Sequence, residues 1–112
     1  MLRGPVVVLI TTPESEAERI ARTLVEERLA ACVNIVKGVT SIYWWRGNVE
    51  SDSEALLIVK TSAGILPRLE EKVREIHPYE VPEIIVLPII AGLKDYLEWL
   101  EGEVKEGGAG ES

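Results

Sequence analysis

The apolar positions of this chain change their spacing several times between one end and the other. Val6 to Thr11 is an unbroken β-branched and apolar run, which predicts a buried strand. Ser15 followed by Glu18 has the spacing of a capping box and predicts a helix start. Ala17, Ile20, Ala21, Leu24 and Val25 then form a helical stripe suited to one sheet face. Arg28 falls on the same stripe one turn later, where its stem would pack and its head would cap the last carbonyls. Cys32 to Arg46 returns to strand character, with Gly38 marking a bulge or bend. "RGNV" at 46–49 predicts a hairpin turn with Gly-Asn at its centre. The partner strand runs from about Val49 to Thr61 around the apolar "LLIV" of 56–59. Leu66, Leu69, Val73 and Ile76 restore the helical period, with Pro67 in the first turn and Pro78 as the stop. "VPEIIVLPII" predicts a fourth strand, and Pro82 and Pro88 put it at a sheet edge. "LKDYLEWL" predicts a short terminal helix.

The order βαββαβ plus a helix predicts a ferredoxin-like α+β sandwich. Its strand order would be 4-1-3-2, with both crossover helices on one face and the other face open. The hairpin between the second and third strands is far longer than a small sheet needs. It carries Tyr43, Trp44 and Trp45 near its tip. A long aromatic edge invites a second chain, so an oligomer is expected rather than a hairpin folded back on its own core.

Composition narrows the function classes. With 112 residues, one domain is expected, covering 1–104, with a flexible tail over 105–112. Net charge is −7, and no Lys/Arg stripe is present, which argues against a nucleic-acid partner. No apolar run has the length of a membrane span. Cys32 is the only cysteine, so no intrachain disulfide can form. A soluble, cytoplasmic protein is the expectation. Gln is absent and charged residues are abundant, a mix that points to a thermostable chain.

"VVVLITTP", "LVEERLAACVNIV", "TSIYWWRGNVE", "LLIVKT", "IHPYEVPEII" and "DYLEWL" together resemble the CutA family of divalent-cation tolerance proteins. The resemblance spans about residues 6 to 101. It implies a homotrimer assembled through the long hairpins, in which Tyr43, Trp44 and Trp45 would pack. It implies a cytoplasmic role in tolerance to divalent ions, copper above all, and no catalytic reaction. The trimer is similar in shape to that of the PII signalling proteins, so a small-metabolite sensor is the alternative, and a scaffold for a partner protein a third reading.

The candidate chemistry centres on His77, the only histidine. In family members assigned a copper site, the ligands are a Cys late in the first strand and two adjacent His before "PY". Carried over, those positions are Ile10, Ile76 and His77, and only His77 is a ligand type. Glu80 and Glu75 are the carboxylates at hand to help it hold Cu(II) or a harder ion. Its other readings are a turn residue at the helix C-terminus and, less favoured, a catalytic base. The expected fold puts His77 and Tyr79 at one end of the sheet and Cys32 beside Lys60 at the other, which argues against a Cys–His dyad within one chain. No G-x-S-x-G, P-loop or paired-His motif occurs. Cys32 reads either as a small buried hydrophobe or as a thiol activated by Lys60. Cys32, Lys60 and Tyr79 are the candidate polar groups of a ligand cleft between subunits. Glu50, Asp52 and Glu54 read as a solvated strand face.

Overall fold

The computed structural model describes residues 2–104; the tail expected over 105–112 lies outside the described residues. The elements are β1 (Pro5–Thr12), α1 (Glu14–Glu26), β2 (Cys32–Trp45), β3 (Asn48–Ser62), α2 (Leu66–Ile76), β4 (Ile84–Pro88) and α3 (Lys94–Glu103), with a 3-10 turn at Ala63–Ile65 before α2. The sheet order is β2-β3-β1-β4, every pair antiparallel. This is the expected 4-1-3-2 order read from the other edge.

β1 alternates. Val6, Val8, Ile10 and Thr12 are fully buried under the helices, whereas Val7, Leu9 and Thr11 are only half-buried on the opposite face. The unbroken apolar run therefore serves two faces of which α1 and α2 seal one. Ala17, Ile20, Ala21 and Leu24 of α1 and Leu69 and Val73 of α2 close over that face, against Leu57 and Val59 of β3. Val25, expected on the α1 stripe, is exposed. α3 packs against β3 and β1, and its Leu100 is buried.

Three local expectations are corrected. The capping box does not form. Pro13, with φ −55° and ψ 142°, is the N-cap, so the helix begins ahead of Ser15, and Glu18 pairs with Arg22 at 3.1 Å instead. Arg28 does not cap the α1 carbonyls with its head, which lies instead at the end of α3, 3.4 Å from the Glu103 carbonyl. The residue takes φ 61°, and the backbone N–H groups of Glu27 to Ala30 close onto the carbonyls of Thr23, Leu24 and Val25. Its guanidinium instead reaches Glu103 of α3 at 2.6 Å. The hairpin turn centres on Arg46–Gly47, both at positive φ (51° and 82°), because Trp45 pairs with Asn48 and leaves two residues between them. Gly-Asn sits one step too far.

The bulge expected at Gly38 is present. Val36 faces Leu56 but Val39 faces Glu54, so β2 carries one extra residue there. Gly38 has φ +73°, and its N–H donates to the Glu14 carboxylate at 2.6 Å. The first turn of α1 thus holds the point where β2 bends away from the body. Beyond it the hairpin runs as a free two-stranded arm, exposed from Ile42 to Ser53.

Candidate functional site

Two groups of side chains stand at opposite ends of the sheet. The first is built on the loop after α2. Pro78 ends that helix, and His77 becomes its C-cap in extended geometry, with its N–H on the Val73 carbonyl at 2.8 Å. The ring folds inward and is 6 % exposed. The Tyr79 N–H donates to His77 Nδ1 at 3.0 Å, so Nδ1 is bare and the proton is on Nε2. Nε2–H donates to the Thr11 carbonyl at the end of β1, 2.8 Å away. One neutral tautomer therefore ties β1, α2 and the 77–83 loop together. The Tyr79 ring lies against it, centroids 4.8 Å apart.

Tyr79 reaches on to β3. Its hydroxyl donates to Glu54 at 2.7 Å. Glu54, expected on a solvated face, is buried. Tyr79 lies against it, and Val39 is its cross-strand partner just past the bulge. One step out along the arm, the Tyr43 hydroxyl donates to Asp52. Directly paired and alternate residues share a face, so Tyr43, Glu50, Asp52 and Glu54 stand together on one side of the arm. The Asp52 hydrogen bond raises the Tyr43 pKa to about 12. Burial, followed by the Glu54 bond, pushes Tyr79 up as well. These pairs escaped the sequence reading because they depend on register across a bulge. The even spacing of Glu50, Asp52 and Glu54 was the one visible signal.

The second group is at the far end. Cys32, half-buried, is the cross-strand partner of Lys60. Tyr96 of α3 joins them, its hydroxyl raised from the usual tyrosine range by burial and by Cys32 nearby. Six residues of β3 separate Lys60 from Glu54, or about 20 Å at strand rise. Within one chain, therefore, the candidate cleft residues are split, Cys32 with Lys60 at one end and Tyr79 at the other. An open concavity of about 630 Å³ between Pro5, Ala91, Gly92 and Leu97 is lined by none of them.

The copper-ligand positions do not fit a copper centre. Ile10 is a fully buried core residue, and Ile76 packs against the same core. Both His77 nitrogens are already engaged. Glu80 is exposed, and Glu75 lies 3.8 Å from Lys72. Among the described residues no three of His, Cys, Asp and Glu converge on a point that would hold a metal.

A four-stranded antiparallel sheet with two helices on one face, a third helix and an overlong hairpin defines the CutA1/PII-like class of α+β proteins. Comparison with known proteins narrows the class. The model of the CutA1 divalent ion tolerance protein family matches residues 6–103, and the chain belongs to that family. It is 60 % identical over 95 residues to the divalent-cation tolerance protein CutA of Thermus thermophilus, covering 84 % of this chain and 92 % of that one. It is 50 % identical over 102 residues to the chloroplastic CutA 1 of rice, where the match takes 90 % of this chain but 58 % of the longer plant protein. The crystal structure of rice CutA1 superposes with a TM-score of 0.90 over 94 % of this chain and 97 % of that one, at 46 % identity. A Nostoc CutA described as PII-like superposes with a TM-score of 0.85 at 41 % identity, covering 89 % and 97 %.

Proposed function

We propose that this chain serves divalent-cation tolerance in the cytoplasm as a homotrimer that holds cations and catalyses no reaction on them. The observation that carries the reading is the surface a single chain leaves in water. One sheet face is sealed by helices, while the other is apolar and open, and the arm extending from it leaves Trp44 75 % exposed. A lone soluble domain rarely exposes so continuous an apolar surface, and self-association removes it. Cation binding is weak and led by surface carboxylates, with Glu80 near His77, which suit harder ions. Copper binds at His77 only after a ring nitrogen is released from Thr11 or Tyr79. Calorimetric titration of Cu(II) and Zn(II) into the wild type and His77→Ala tests this. The expected isotherms are shallow, weakened by salt and the same in both. A sharp step near one ion per chain, lost in His77→Ala, would replace the reading with a His77 copper site.

The second reading, a PII-like sensor of a small metabolite, is favoured by one observation: Cys32, Lys60 and Tyr96 gather a thiol, an ammonium and a phenol at one end of an open face. A thermal-shift screen of small anions separates it from the first, because a Lys60-dependent rise in melting temperature belongs to the second reading alone.

A further inference from the structure

The last helix, α3, is poorly supported by its own sequence. It has 10 residues, a length at which an isolated helix is marginal in water. Leu93 at its N-cap makes no side-chain capping bond. Its last turn holds Glu101 and Glu103 and no basic residue, so like charge meets the negative end of the helix dipole. Leu100 is its one buried residue, and the open concavity of about 630 Å³ runs along Leu97, Glu98 and Glu101. The missing cation comes from another element. Arg28, just past α1, sets its guanidinium 2.6 Å from the Glu103 carboxylate and 3.4 Å from the Glu103 carbonyl. It does so from φ 61°, a conformation that glycine takes more cheaply at the end of a helix. A side chain is kept where its absence would relieve the backbone.

The strand ends beside α3 are fastened separately. The Ala31 N–H donates to the Lys60 carbonyl at 2.9 Å, and the Thr61 hydroxyl donates to the Leu29 carbonyl at 2.7 Å in the buried interior. Cys32 and Lys60 therefore hold their places whether or not α3 is seated, while Tyr96, beside Cys32, travels with the helix. We propose that α3 is a strap latched by Arg28: breaking the Arg28–Glu103 pair lets the helix swing clear as a unit and uncovers the Cys32–Lys60 end of the sheet. Both members of the pair are half-exposed, so dissolved salt reaches and screens it. Release withdraws little from the core, only Leu100 and the partly buried Val104. The device thus makes the Cys32 thiol more accessible as ionic strength rises. Latch, strap and thiol all belong to one chain, and the device needs no second copy.

Arg28→Gly tests this directly, because it removes the latch while relieving the positive φ at the end of α1, so the fold is kept. The readouts are amide exchange along the chain and the rate at which Cys32 reacts with a neutral dipyridyl disulfide. In Arg28→Gly, exchange in α3 and the Cys32 rate are both expected to rise by about two- to fivefold, with α1 and α2 no faster than in the wild type. Salt at about 1 M should produce the same rise in the wild type and add little in the variant. Arg28→Lys, which keeps a cation at the end of α3, should recover part of the difference. Equal α3 exchange in Arg28→Gly and the wild type would overturn the latch. Faster α3 exchange with an unchanged Cys32 rate would overturn the cover. A Cys32 rate that falls as protein concentration rises would assign the cover to contact between copies and overturn it as well.

Discussion

Tyr79 and Glu54 stand 25 residues apart in the chain and are joined by an O–H···O bond of 2.7 Å. That bond connects the loop after α2 to the base of the hairpin arm, and among the described residues it is the only hydrogen bond from a side chain that the buried Glu54 receives. Tyr79→Phe would leave a desolvated carboxylate without its donor, at a cost of about 1–3 kcal/mol. Thermal denaturation should show a fall of several degrees. Glu54→Gln, which keeps an acceptor for Tyr79 and removes the charge, should be milder. Equal losses in the two variants would show that the hydroxyl contributes nothing specific.

Alkaline pH acts on the same ladder. Tyr43, held protonated by Asp52, titrates at about 12, and Tyr79 and Tyr96 are also raised. An unfolded tyrosine ionises near 10. Groups raised in the folded state contribute stability that is complete below about pH 10 and is lost as pH climbs through the folded values. Tyrosinate absorbance should therefore rise late in the native protein, with no tyrosine titrating at its ordinary position. Denaturant midpoints should fall from about pH 10 upward. Tyr43→Phe should remove the component near 12 from the absorbance curve. A native curve centred near pH 10 would contradict the ladder.

His77 holds three segments through two ring bonds. Replacing it with Ala strands the Thr11 carbonyl and the Tyr79 N–H, at a cost of about 2–4 kcal/mol. The loss should appear as faster amide exchange in the 77–83 loop and at the end of β1, with the centre of β3 unaffected.

Gly38 and Glu14 set the bend of the arm. A methyl group at Gly38 meets nothing within 4 Å, so Gly38→Ala tests backbone conformation alone. At φ +73° the expected cost is about 1 kcal/mol. Glu14→Ala should weaken the same junction by a similar amount, and the two changes together should be less than additive because they act on one contact. Full additivity in denaturant titrations would separate them.

Thr12 offers the opposite case. Its hydroxyl is fully buried and finds no partner among the described residues. Thr12→Val should be neutral or stabilising by up to about 1 kcal/mol. A clear loss of stability would mean that the hydroxyl is satisfied in solution.

The strands, the helices and their order were readable because their apolar spacing is set by burial against one sheet face. The stripe Ala17, Ile20, Ala21, Leu24 and the alternation of β1 are the same fact seen from two sides. The positions of Cys32 and His77 at opposite ends followed from strand direction alone. What escaped depended on one-residue offsets. Pro13 started a helix that Ser15 was expected to cap, and Arg46 took a positive φ expected of a glycine or asparagine. Glu54, read as a solvated position, is buried beside Tyr79 from a loop 25 residues away. Local propensity carries no information about such register, and the hydrogen bonds of Tyr79 and Tyr43 depend on it.

The measurement that tests the account most directly is the mass of the purified protein in solution, by light scattering across a dilution series. The proposed homotrimer covers the open face and the aromatic arm, so under that proposal the mass should be three times the 12.4 kDa chain and hold on dilution. A mass of 12.4 kDa with Trp44 still in water would contradict it.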